Sequence, residues 1–129
     1  WSVMRDGPLD LRMNPQASVP ASQWLQHASV KELAWIFREL GDETDPILAQ
    51  RMAEAVLEQQ RRCGAFTSTM QLGGALRHVM RSTPSAASRF GDVKLPMRAL
   101  TSFVNQEMEQ LVQALHGAFQ RLQLGGRIV

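Results

Sequence analysis

The chain is cut into short helical lengths by its own punctuation, and this limits its fold more than any other feature. Ser29-Val30-Lys31-Glu32 is a capping box, in which a serine and a glutamate three residues later satisfy each other's backbone amides at a helix start. It predicts a helix with Leu33, Ile36, Phe37 and Leu40 on its apolar face, ended by Gly41 in the left-handed conformation. Asp45-Pro46 supplies a cap and a proline at the first helical position. The helix it opens presents Ile47, Leu48, Met52, Ala55, Val56 and Gln59 and ends near Gly64. Ser68-Thr69-Met70-Gln71 is a second box, leading Leu72, Ala75, Leu76 and Val79 into a further helix. A short helix is expected from Ser22 to Ala28. The longest runs from about Pro96 to Gln123, where Leu100, Phe103, Val104, Met108, Leu111, Leu115 and Phe119 recur at three-and-four spacing. Gly125-Gly126 stops it, and Arg127-Ile128-Val129 reads as the start of a strand. Residues 1–20 and 82–95 read as loops, broken by Gly7, Pro8, Pro15 and Pro20 and by Pro84 and Gly91.

Composition removes several classes of chemistry. At 129 residues and 44% hydrophobic, the chain suits one mainly α domain with a modest core. Its net charge of +2, from 14 basic and 12 acidic residues, requires any RNA contact to come from local patches. A single cysteine, Cys63, rules out an internal disulfide and a multi-cysteine zinc site. It follows Arg61 and Arg62, which favour a thiolate, but a spectator thiol at a helix end is the simpler reading. His27, His78 and His116 share no metal-ligand spacing, and no serine sits in a nucleophile elbow. Leu72-Gly73-Gly74-Ala75 lies inside a helical pattern without a following lysine, so its glycines are expected to permit close helix packing rather than cradle phosphate. Asp42-Glu43-Thr44-Asp45 lacks the calcium-loop pattern and reads as negative charge favouring a helix N-terminus. The seven methionines, among them Met4, Met13, Met70 and Met108, are expected to fill gaps in the core. No apolar run approaches the ~20 residues needed to cross a bilayer.

The densest chemistry lies in Met4-Arg5-Asp6-Gly7-Pro8-Leu9-Asp10-Leu11-Arg12-Met13, where a Gly-Pro turn carries two Arg/Asp pairs and alternating apolar residues. This run closely resembles the loop shared by the ribosomal RNA small subunit methyltransferase H family, bacterial and mitochondrial. The likeness continues in order along almost the whole chain. It takes in Trp24-Leu25, Glu32-Leu33-Ala34-Trp35-Ile36, the Ala49–Val56 segment, Thr67-Ser68-Thr69, Val104-Asn105-Gln106-Glu107-Met108-Glu109 and Leu124–Val129. The resemblance implies S-adenosylmethionine-dependent methylation of a cytidine amine in small-subunit rRNA, on a class I, Rossmann-like α/β scaffold. It also implies that the cofactor-binding residues lie outside this chain, which begins at Trp1, shows no signal or transit pattern and reads as an internal piece of a longer protein. On that pattern residues 1–20 are a loop near the active site. Residues 21–95 are a helical insert, and residues 96–129 return to the methyltransferase domain with a long helix and the start of a strand. That long helix is expected to pack on a sheet mostly absent from this chain.

The resemblance assigns no catalytic residue, since methyl transfer to an amine relies on positioning and desolvation. It makes Arg5, Asp6, Asp10, Arg12, Arg98 and Asn105 candidates for the wall of a pocket that receives an extruded cytidine. The alternative for the loop charges is a self-contained ionic turn. Arg51, Arg61, Arg62, Arg77, Arg81 and Arg89 are candidates for phosphate contact or, alternatively, a solvated helix face. Asn14, Ser68 and the segment Leu95–Thr101 depart from the family pattern. These departures imply altered substrate contact, or a member that keeps the fold and gives up the reaction. Two functions follow: an rRNA cytosine methyltransferase, or an inactive assembly factor that binds rRNA or other assembly proteins on the same scaffold. The expected partner is small-subunit rRNA or a pre-ribosomal particle, in a mitochondrion or alternatively a bacterial cytoplasm, with no membrane.

Overall fold

A computed structural model of the chain describes residues 6–42, 45–82 and 93–129. Among these residues it contains six helices: α1 Ala21–Leu25, α2 Val30–Glu39, α3 Pro46–Cys63, α4 Thr69–Arg81, α5 Lys94–Val104 and α6 Glu107–Arg121. The capping signals place them. The Ser29 hydroxyl accepts from the Glu32 amide and the Glu32 carboxylate accepts from Ser29. Ser68 and Gln71 repeat the arrangement at α4. The Asp45 carboxylate accepts from Ile47 N at 2.9 Å and from Leu48 N, with Pro46 opening α3. Each box satisfies amides that would otherwise be orphaned at a helix start, at about 1 kcal/mol per cap.

One core runs through the described residues. Phe37, Leu33 and Ile36 of α2 meet Met52 and Val56 of α3, Leu72 and Leu76 of α4 and Met97 and Leu100 of α5, while Leu9 and Leu11 enter from the charged loop. α2 packs on α3 and α5, α3 on α4, and α1 on α5. Packing therefore crosses the expected boundaries at residues 20 and 95.

Several expectations are corrected. The helix expected over 96–123 is two helices, starting at Lys94 and interrupted at Asn105 and Gln106, where Gln106 turns left-handed at φ +52°. The apolar spacing continues across the break, but the Asn105 side chain is drawn away to the loop. No strand forms at Arg127–Val129, because no neighbouring strand is present among the described residues to complete a ladder. Gly41 does not end α2 left-handed: the helix ends at Glu39 with Leu40 as a right-handed cap, and the left-handed residue is Asp42, beyond it, at φ +56°. Gly41 serves close approach instead, since a Cβ there would lie 2.4 Å from the Phe37 carbonyl oxygen and 3.2 Å from the Ala99 Cβ. Gly73 and Gly74 do not serve a close helix approach: a Cβ at Gly74 would meet nothing within 4 Å, and the nearest atoms to one at Gly73 belong to the Arg77 side chain at 3.6 Å, ordinary contact. Met52, Met80 and Met97 fill the core, whereas Met13, Met70 and Met108 are exposed, as is Ile47.

The second half of the former long helix stands apart. α6 has no buried residue, and Leu111, Val112, Leu115 and Phe119 are exposed along it, Phe119 to 72%. Phe103, on α5, does pack against the core. Arg5, Met4, Pro84, Arg89 and Gly91 lie outside the described residues.

Candidate functional site

The charged loop is held by two different devices. At its start it is zipped to the α3–α4 connection: Leu9 N donates to Thr67 O at 3.0 Å, Thr69 N donates to Gly7 O at 2.9 Å, and Pro8 bridges Ser68. Two motifs sixty residues apart in sequence thus become neighbours. Asp6 completes this junction by accepting from its own neighbour Gly7 N and from Met70 N at 3.1 Å. A hydrogen bond from Ser68, then that from Met70, hold the Asp6 carboxyl below the ordinary carboxylate range. Ser68, which departs from the family pattern, therefore has two tasks here: it caps α4 and supports Asp6.

Beyond Leu9 the loop closes on itself. The Arg12 guanidinium grips the Asp10 carboxylate in a fork, Nε to Oδ1 and Nη2 to Oδ2 at 2.8 Å, while Nη1 donates to Pro15 O at 2.6 Å and Ser18 O at 2.9 Å. Bidentate charge-assisted pairs of this kind are strong and fix geometry as well as energy. Arg12, through that hydrogen bond first, depresses the Asp10 pKa. Leu11 sits between them with φ +63° and its side chain buried. A β-unbranched but bulky residue held left-handed is a strained position that its surroundings must enforce.

Asn105 supplies part of that enforcement. Its Oδ1 accepts from Met13 N at 2.6 Å, and its Nδ2 donates to Leu11 O and to Thr101 O, each at 2.8 Å. Its amide is thus occupied by the loop and by α5. Arg98, by contrast, is exposed on α5 and forms no ion pair with the loop among the described residues.

An aromatic groove adjoins the returning limb of the loop. Trp24 and Phe103 lie with ring centroids 4.7 Å apart, and with half-exposed Trp35 they line two adjoining cavities of about 520 and 410 Å³. Ser18 and Val19 of the loop and Gln106 of the α5–α6 junction also line the larger one. Sequence reading did not single out these aromatics as site residues; tryptophans on short, half-polar helices were the available signal. Trp35 is the exposed aromatic of the three, while Trp24 and Phe103 are half-buried against the core and each other; grooves lined by aromatic rings suit planar ligands, nucleobases among them. The groove offers Glu109 as its charged wall residue in the larger cavity and Lys31 and Glu32 in the smaller. Neither cavity has a Gly-rich turn after a strand, so the described residues do not fit S-adenosylmethionine. They also hold no cluster of three metal-ligating side chains.

The basic candidates divide. Arg51, Arg61, Arg62 and Arg81 are exposed, Arg77 is half-buried, and none forms an ion pair among the described residues. Arg62 and His78 line one cleft between α3 and α4 of about 350 Å³, together with Glu58 and Ala55. Arg51 continues the same helical face, spaced with Ala55, Glu58 and Arg62 at three or four residues. Arg61 and Arg77 do not line this cleft.

Known proteins resemble this chain from end to end. A model of the MraW methylase family matches residues 1–129. A ribosomal RNA small subunit methyltransferase H from Hamiltonella defensa is 32% identical over 128 residues, covering 99% of this chain and 39% of the relative. Proteins of the same name from Idiomarina loihiensis and Nitrosococcus oceani are 33% identical over 129 residues and 35% over 128, covering 39% and 38% of their lengths. The chain therefore spans about two fifths of the curated relatives it matches. With the family matched over every residue and a third of positions identical to such relatives, the chain belongs to the MraW methylase family.

Proposed function

We propose that this chain is the loop-and-helix portion of an S-adenosylmethionine-dependent methyltransferase acting on a cytidine of small-subunit rRNA during ribosome maturation. The observation that carries the reading is the family match over all 129 residues, joined by relatives named as rRNA small subunit methyltransferases. In this reading residues 1–20 form the loop near the active site, 21–95 the helical insert, and 96–129 the return to a Rossmann-like domain. The exposed stripe of α6 supports that return, because an apolar helix face of this size is normally covered.

The work of these residues is positional. An extruded base stacks against Trp24, Trp35 and Phe103, and the Asp10–Arg12 fork stiffens the wall formed by Ser18 and Val19. Asp6 acts further off, by tying the loop to α4. S-Adenosylmethionine would supply the methyl group from residues outside this chain. Arg51, Arg62 and Arg81 offer phosphate contacts that hold structured RNA. The relatives reported are bacterial, which favours a bacterial cytoplasm over a mitochondrion, and no helix among the described residues is long and apolar enough to cross a membrane.

The test is methylation of small-subunit particles by the full-length protein with radiolabelled S-adenosylmethionine, followed by mass spectrometry of the digested rRNA. A methyl group on the exocyclic amine of one cytidine is expected. Failure to bind the cofactor, with retention on the particle, would replace this reading with the assembly-factor one.

A further inference from the structure

We infer that Asn105 is a positioning residue: it clamps the strained Leu11–Met13 segment and, through Arg12, sets the Ser18–Val19 wall of the aromatic groove. The inference rests on the proposed methyltransferase reading for its functional consequence but not for its geometry.

The Asn105 amide faces two carbonyl oxygens, Leu11 O and Thr101 O, with its NH2 group and one amide N–H, that of Met13, with its oxygen. Only one orientation of the side chain satisfies all three partners, since the flipped amide would set oxygen against two carbonyls and NH2 against an N–H. Aspartate cannot make the two donations. Alanine can make none of the three bonds. The same side chain bridges elements 92 and 94 residues apart in sequence, so it is a tertiary fastener rather than a local cap.

What it fastens is unusual backbone. Leu11 is bulky, buried and left-handed at φ +63°, and Asn105 binds the carbonyl of that residue and the amide two residues on. Arg12 stands between those two anchor points. With the backbone pinned on both sides, its guanidinium reaches Asp10 on one side and Pro15 O and Ser18 O on the other. Ser18 then lines the groove beside Trp24 and Phe103. The chain of contacts runs Asn105 to Leu11 and Met13, Arg12 to Ser18, and Ser18 to the groove. The clamp coincides with the helix break, since Asn105 caps α5 and Gln106 turns left-handed before α6 begins. Its amide is already occupied, so Asn105 acts on a bound base through the loop and not by contact.

Two measurements on Asn105→Ala and Asn105→Asp test this, with Val56→Ala as a variant that thins the α3 core away from the loop. The first is amide hydrogen exchange, read at single-residue resolution, on the full-length protein. Met13 N–H is expected to exchange at least tenfold faster in Asn105→Ala, while Ser22 N–H, bonded to Leu9 O, keeps its wild-type rate. The second is steady-state methylation by the full-length protein. A fall of about tenfold in kcat is expected in both Asn105 variants with the KM for the cofactor unchanged, whereas Val56→Ala lowers the melting temperature and keeps kcat below its melt. Wild-type exchange at Met13 would overturn the clamp. A kcat loss that follows melting temperature alike in Val56→Ala would overturn the positioning role. A wild-type protein that transfers no methyl group would remove the proposed reaction and with it the kinetic role, and the Met13 amide then decides the clamp alone.

Discussion

Asp10 shows how a sequence feature open to two readings acquires a definite physical task. Its carboxylate is held in a fork by Arg12, which lowers its pKa in the folded protein. A depressed folded pKa means that the fork's stabilisation is complete above the unfolded value of about 4 and is lost as pH falls through that range. Urea melts from pH 6 to pH 2.5 should therefore show wild type losing stability more steeply than Asp10→Asn, and equal slopes would show the fork to be inert. Glycines make a second pair of expectations at this scale. Gly74 lies mid-helix with open space where a Cβ would stand, so Gly74→Ala should raise stability by about 1 kcal/mol. Gly41→Ala drives a Cβ into the Phe37 carbonyl and the Ala99 side chain, and should cost about 1–3 kcal/mol. Thermal or urea melts of both variants check the opposite signs.

Elements were legible where their signals are local. Ser29, Asp45 and Ser68 mark the starts of α2, α3 and α4 because a cap is satisfied within three residues of itself. The break at Asn105 was not legible, since Leu100, Phe103, Val104, Met108 and Leu111 keep helical spacing through it and the partner that draws Asn105 away is ninety residues distant. The pairing of Gly7 and Leu9 with Thr67 and Thr69 was hidden for the same reason: a long-range bridge leaves no period in the sequence. Asp10 and Arg12, two residues apart, could be paired by inspection. The aromatic groove could not, because it assembles from α1, α2 and α5. α6 yields a test of what its spacing means. Phe119→Ser should leave the melting of the 129-residue chain within about 0.5 kcal/mol of wild type, as for an exposed site. In the full-length protein the same change should cost about 3 kcal/mol or more if α6 docks on a sheet and Phe119 is buried there. Equal melts in both contexts would remove the proposed docking of α6.

Over the whole molecule, charge is unevenly spread in a way the net value of +2 conceals. Helices α3 and α4 carry five arginines against Glu54 and Glu58, while the rest of the chain is slightly acidic. The five arginines form no ion pair among the described residues, unlike Arg12 and Arg38, which pair with Asp10 and Glu39. Unpaired cations cost nothing to solvate at the surface, so their presence alone proves little. Their juxtaposition is more telling: Arg62 and His78 share one cleft, and Arg51 extends its face along α3. If this face follows an RNA backbone, each arginine that meets a phosphate releases about one counterion, and binding should weaken with salt accordingly. Fluorescence anisotropy with a hairpin of small-subunit rRNA, across a salt series, measures that slope. Each of Arg51→Gln and Arg62→Gln should reduce the slope of log affinity against log salt by about 0.7–0.9, and the double variant by about twice as much. Arg38→Gln, whose partner is Glu39, should leave the slope unchanged. A double variant with the wild-type slope would return these arginines to a solvated face and direct the search for RNA contact back to the loop and groove.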